Sequence, residues 1–231
     1  MARSKTKRSK FVAHADAGKV SALLLVPDDP IAVLVLGHGA GAGMEHANMQ
    51  GIAEALAVQG IATMRYQFPY MERGGGRDRQ EVTLSTIHNA VSHTIKKLPE
   101  VPVLAGGHSF GGRMTTIAQA EGPIGEVQGL ICCSFPLHAP GRVSDHRIAH
   151  FADIKVPVLF LCGDRDTMMT YDLFEPAIAK MKHSRRKLAT LHKIHTANHG
   201  YKVLKRTRTS PEPVFDEMAR VARGWLDKKV L

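Results

Sequence analysis

The chain is 231 residues long, 44% apolar and 23% charged, with a formal net charge of +10. That length suits one domain with a substantial core and excludes two full domains. The longest apolar runs, residues 31–36 and 156–162, are strand-sized, which excludes a membrane-spanning helix.

Arg3, Lys5, Lys7, Arg8 and Lys10 supply half of the net charge. Residues 1–10 therefore read as a basic, flexible tail ahead of a single domain over residues 11–231. No hydrophobic stretch follows the tail, so a secretory signal is not expected and the cytoplasm is the expected location. The tail has the charge to touch nucleic acid or an acidic membrane. No zinc-ligand spacing, recognition helix or base-stacking aromatic cluster accompanies it, so no specific nucleic-acid partner is expected. Neither length nor charge fixes an oligomeric state.

Strand and helix patterns then alternate. Residues 20–26 form a strand pattern that ends at Pro27-Asp28-Asp29-Pro30, and 31–36 form a second, wholly apolar one. The loop Gly37-His38-Gly39-Ala40-Gly41-Ala42-Gly43 follows. Residues 47–59 carry Met49, Ile52 and Leu56 at helical spacing, and 61–66 start the next strand. A loop rich in glycine and arginine, 67–79, leads to a helix through Val82, Ile87, Ala90, Val91 and Ile95. Strands are expected at 101–105, 129–134, 156–162 and 187–194, and helices from Met114, over 172–181 and over 211–226. Residues 136–150 read as an irregular loop. This β-α alternation predicts an α/β architecture: a mostly parallel central sheet with helices on both faces and little or no cap. Ligands of such sheets bind beyond the carboxyl ends of the strands.

The motifs fall at those ends. Gly107-His108-Ser109-Phe110-Gly111 is a G-x-S-x-G elbow between a strand and a helix, flanked by Gly106 and Gly112. Such a turn exposes a strained serine, whereas a plain glycine-rich turn has no need of that context. A serine nucleophile needs a base, and the base an orienting acid, here in the order serine, acid, histidine. The acid is offered by Gly163-Asp164-Arg165-Asp166. Asp166 is preferred because it lies past the glycine turn; Asp164 is the alternative. Of 13 histidines, His199 in Ala197-Asn198-His199-Gly200 follows the last strand and is the candidate base, ahead of His195. The glycine-rich loop after the second strand supplies the other requirement, an oxyanion hole from the backbone N–H groups of Ala40 and Phe110. His38, Gly39, His108 and Arg113 are expected next to the substrate. A phosphate loop is disfavoured, since no G-K-[ST] ending is present. The three cysteines, Cys132, Cys133 and Cys162, lie in apolar runs and read as buried free thiols.

The runs Leu36-Gly37-His38-Gly39-Ala40-Gly41, Arg65-Tyr66-Gln67-Phe68-Pro69-Tyr70, residues 106–113 and Phe135-Pro136-Leu137-His138 together resemble the α/β-hydrolase superfamily. The nearer resemblance is to its small dienelactone-hydrolase-like branch, which includes the testis-expressed protein 30-like predicted hydrolases. That resemblance implies the α/β-hydrolase fold, with Ser109, Asp166 and His199 as the triad of a serine hydrolase. His108 departs from the lysine expected in many relatives. The chemistry implied is hydrolysis of a small-molecule ester or thioester through an acyl-enzyme, with no metal and no cofactor. Residues 135–150 are too few for a large cap, so an open site is expected. Arg65, Arg73, Arg77 and Arg113 near its mouth either favour a carboxylated or phosphorylated substrate or pair with Glu72 and Asp78. The rival from another class is a non-catalytic interaction protein on the same fold.

Overall fold

The computed structural model describes residues 4–183 and 186–231. Its centre is an eight-stranded sheet in the order β1-β2-β4-β3-β5-β6-β7-β10. The strands are β1 (Ser4–His14), β2 (Gly18–Pro27), β3 (Ala32–Gly37), β4 (Ile61–Tyr66), β5 (Val103–His108), β6 (Gly129–Cys133), β7 (Val158–Gly163) and β10 (Ala189–Ile194). Two short strands, β8 (Lys182–His183) and β9 (Arg186–Lys187), pair separately. From β4 to β10 every pairing is parallel, while β1 and β2 add an antiparallel edge.

Strands covered on both faces are mostly apolar, and β3, β4, β6 and β7 are buried throughout, β4 with Thr63 and Arg65 among its residues. Side chains alternate across the sheet, so residue parity sorts the core into two layers. Leu34, Leu36, Leu104, Ile131, Leu159 and Leu161 pack with helices α1 (Ala47–Val58) and α6 (Val214–Lys229). Val33, Val35, Val103, Ala105, Leu130 and Phe160 point the other way, towards α3 (Gln80–Lys97), α4 (Phe110–Glu121) and α5 (Tyr171–Ala179). The short helix α2 (Pro69–Arg73) lies within the expected loop 67–79. A 3-10 helix, His146–Asp153, occupies the end of the expected loop 136–150 and packs along α4.

The basic tail is a correction. From Ser4 onward its residues are strand, paired with β2 from Ser4↔Pro27 to His14↔Gly18, so the domain includes residues expected to lie outside it. Phe11 and Ala13 are buried and anchor the strand, and Gly18 takes the left-handed conformation (φ 73°) where the chain enters β2. Lys5, Lys7, Arg8 and Lys10 sit on a sheet edge, where charge discourages pairing with another chain. Their density hides the strand from a reading based on hydrophobic alternation. Met1 to Arg3 lie outside the described residues. Among the described residues, no helix is long and apolar enough to cross a membrane.

Candidate active site

At the end of β5 the backbone turns sharply into α4, and Ser109 sits at the turn with φ 51° and ψ −110°. Two residues to either side of it, a side chain larger than hydrogen cannot be accommodated. A Cβ on Gly107 would lie 2.5 Å from the Gly37 carbonyl, and one on Gly111 would collide with the same oxygen. The glycines of the motif thus let β3, β5 and α4 approach closely enough to present the serine.

His199 reaches Ser109 from the loop after β10, with Nε2 at 2.8 Å from Oγ. Its Nδ1 is 2.7 Å from Asp166 Oδ2. The other Asp166 oxygen accepts the Met168 N–H at 2.8 Å, and the carboxylate is fully buried while the histidine remains a quarter exposed. With the carboxylate accepting from Nδ1–H, the ring's other nitrogen is left to accept from the serine hydroxyl. Asp164 is exposed, its N–H donates to the Ile194 carbonyl, and its carboxylate makes no hydrogen bond to His199 among the described residues. His195 meets Thr209, and His192 pairs with Glu217, so neither reaches Ser109.

The glycine-rich loop lies opposite. The Phe110 N–H opens α4 and has no acceptor within the helix. Among the described residues neither it nor the Ala40 N–H makes a hydrogen bond. Tyr70 Oη donates to the Ala40 carbonyl at 3.0 Å and pins the loop; burial raises this phenol to about 12. Gln67 Oε1 accepts the Met44 N–H (2.9 Å) at the loop's far end. Both residues belong to the Arg65-to-Tyr70 run noted in the sequence, but their role as braces of the neighbouring loop left no signal in its pattern.

Two of the expected substrate neighbours, His38 and His108, have their rings engaged with the loops around the elbow. His38 is completely buried. Its Nε2 accepts the Phe68 N–H (3.0 Å), so Nδ1–H donates to the Gly39 carbonyl (2.7 Å). Burial lowers its pKa to about 4, which keeps the ring neutral. His108 donates from Nε2 to the His199 carbonyl at 3.2 Å, and its Nδ1 would lie 3.1 Å from a Cβ on Gly39. Burial, followed by the neighbouring His199, lowers His108 to about 4. Gly39 and Arg113 remain beside the elbow: Gly39 against the His108 ring, Arg113 one turn into α4 with its N–H on the Ser109 carbonyl (3.0 Å).

Of the other arginines expected at the mouth, Arg65 is buried on β4 and donates to the Met44 carbonyl (3.1 Å), and Arg73 pairs with Asp78 (2.6 Å). All three cysteines are buried and free, and burial raises each thiol above its ordinary range. A cavity of about 290 Å³ between the 3-10 helix and α5 holds none of the groups around Ser109.

Comparison with known proteins matches residues 30–227 to a family described as alpha/beta hydrolase domain. Three solved structures illustrate the likeness. Dienelactone hydrolase from Anabaena variabilis ATCC 29413 is 18% identical, with 99% of each chain covered and a TM-score of 0.73. Est1E from Butyrivibrio proteoclasticus with ferulic acid bound is 18% identical over 96% of this chain and 99% of that one, TM-score 0.73. XC6422 from Xanthomonas campestris, described as an a/b serine hydrolase without lid, is 18% identical over 97% and 93%, TM-score 0.68. At these identities the likeness shows the shared fold.

Proposed function

The chain belongs to the alpha/beta hydrolase domain family, and from that premise we propose that it is a serine hydrolase that cleaves a small ester or thioester through an acyl-enzyme. The observation that carries this reading is the unbroken contact chain from Ser109 Oγ through His199 to a buried Asp166, built on a strained elbow. The solved esterases and dienelactone hydrolase of the same fold support the same class of substrate.

In this scheme His199 Nε2 accepts the Ser109 proton as Oγ attacks the carbonyl carbon. Asp166 holds the Nδ1–H tautomer and stabilises the imidazolium that forms. Charge developing on the carbonyl oxygen is met by the N–H groups of Ala40 and Phe110, a contribution of about 3 kcal/mol per donor in such sites. The adduct collapses to the acyl-enzyme, and the alcohol or thiol departs with the proton from Nε2. Water then gives a proton to the same nitrogen, adds to the acyl carbon, and releases the acid with Ser109 restored. The scheme balances without a metal or organic cofactor.

Intact-mass measurement after incubation with a fluorophosphonate tests it. One adduct on the wild type and none on Ser109→Ala is the expected result. Folded wild type that gains no adduct overturns the hydrolase reading in favour of an interaction protein on this fold.

A further inference from the structure

Three arginines from separate segments lie on α4 or on elements in contact with it. Arg113 follows the elbow directly on the helix. Arg77 comes from the loop between α2 and α3, with Cζ 5.7 Å from the centre of the Phe110 ring. Arg147 belongs to the 3-10 helix, which is tied to α4 where His150 Nε2 meets Thr116 Oγ1 at 2.9 Å; its Nη1 donates to the Pro136 carbonyl at 3.3 Å.

None of the three forms an ion pair among the described residues, although exposed arginines elsewhere do: Arg220 with Glu212, Arg223 with Asp227 and Arg73 with Asp78. Asp78, next to Arg77 in the chain, is occupied by Arg73 and by the Tyr70 N–H (2.8 Å). Arg113 Nε is buried without a hydrogen bond. Burial lowers Arg113 first, and the charges of Arg147 and Arg77 lower it further; Arg147 is lowered by burial and then by Arg77. Three like charges therefore lie along α4, whose first turn follows the proposed nucleophile, and none of them is ion-paired among the described residues.

We infer that Arg77, Arg113 and Arg147 form a subsite for a phosphate monoester group carried by the substrate. The inference names a substrate class for the ester-cleaving reading and rests on that reading for the reacting bond. A monocarboxylate would offset one of three positive charges, whereas a phosphate monoester offsets nearly two and offers three acceptor oxygens to forked donors. The N-terminal end of α4 adds backbone dipoles of the same sign.

Calorimetric titration with phenyl phosphate, and with benzoate as its carboxylate counterpart, tests the subsite directly on wild type and on Ser109→Ala. Phenyl phosphate is expected to bind at least tenfold more tightly than benzoate, and more weakly as salt is raised. The exposed Arg77→Gln and the half-buried Arg147→Gln should each weaken it about tenfold. Arg113→Lys, which keeps the charge and most of the packing, should weaken it less. Arg220→Gln, on the far helix α6, should leave it unchanged. Equal binding of the two anions, no binding, or indifference to the three arginines overturns the inference. Fluorophosphonate labelling separates the two readings. A labelled Ser109 without phosphate binding removes the subsite alone; phosphate binding without labelling leaves the subsite and removes the hydrolase.

Discussion

Two histidine–carboxylate pairs, each with an N···O distance of 2.7 Å, lie a few residues apart in the chain and do different work. His192 on β10 meets Glu217 of α6, whose second oxygen is held by Arg208. His199 meets Asp166, whose second oxygen takes a backbone N–H and, among the described residues, no cation, and its other ring nitrogen meets Ser109. In the first pair the carboxylate charge is already compensated and the pair fastens a helix to the sheet. In the second, the carboxylate has no cation within the pair, so a histidine that gains a proton is the cation it lacks. A close histidine–carboxylate contact is therefore not a site by itself; what lies on the other nitrogen and the other oxygen decides.

The largest expected effect is on the second pair. Asp166→Asn keeps the shape but favours the wrong histidine tautomer, and kcat on an activated ester should drop about ten-thousand-fold while the fold persists. Steady-state rates with circular dichroism as a control check this. Unchanged kcat would mean that Asp166 is only a loop anchor.

The first pair should respond in the opposite way. Glu217→Gln leaves Arg208, which is only 6% exposed, without its counter-charge. The expected loss is about 3 kcal/mol in urea unfolding, with kcat within twofold of wild type. A fall in kcat without a loss of stability would erase the distinction between the two pairs.

His38 and His108 sharpen the comparison further, because neither ring has a carboxylate partner and both are pushed to about 4 from an ordinary 6.5. The unfolded chain therefore takes up protons that the folded chain refuses between those values. The stability these neutral rings contribute is fully present above pH 6.5 and is lost as pH falls towards 4, by up to about 3 kcal/mol for each ring. Urea midpoints measured from pH 7.5 to 4 should fall across that window. His38→Gln, which keeps a donor and an acceptor without titrating, should flatten the slope.

Much of this arrangement is visible in the sequence because its signals are local. Parallel strands buried on both faces are continuous apolar runs bounded by glycine or proline, and β3, β6 and β7 stand out for that reason. Ser109, Asp166 and His199 stand out by their order at strand ends, and the structure brings them within hydrogen-bond distance. What escaped detection depends on distant partners. Strand β1 is specified by its ladder with β2 rather than by its own charged residues. The Gly200 carbonyl beside His199 is held by Asn48 Nδ2 at 3.1 Å, a contact across 152 positions that leaves no periodicity to read. The glycine-rich loop around His38 suggests a group beside the substrate, whereas its ring turns inward to the Phe68 N–H.

His108 gives the smallest and most discriminating test, since it acts on the second pair without belonging to it. Its Nε2–H holds the carbonyl of His199 itself, and its ring packs 5.6 Å from the His199 ring, so it fixes the loop from which the proposed base reaches Ser109. Loss of that hold should let the ring wander from the 2.8 Å contact rather than remove it. His108→Ala should then lower kcat about tenfold with KM little changed, because small misplacements of a reacting group cost rate before they cost binding. His108→Gln, which returns an N–H donor near the same carbonyl, should recover part of the loss; a residue that merely fills space would be rescued equally well by His108→Leu. Rescue by glutamine and not by leucine would mean that the His199 loop is held by a hydrogen bond. Equal rescue would assign His108 to packing alone.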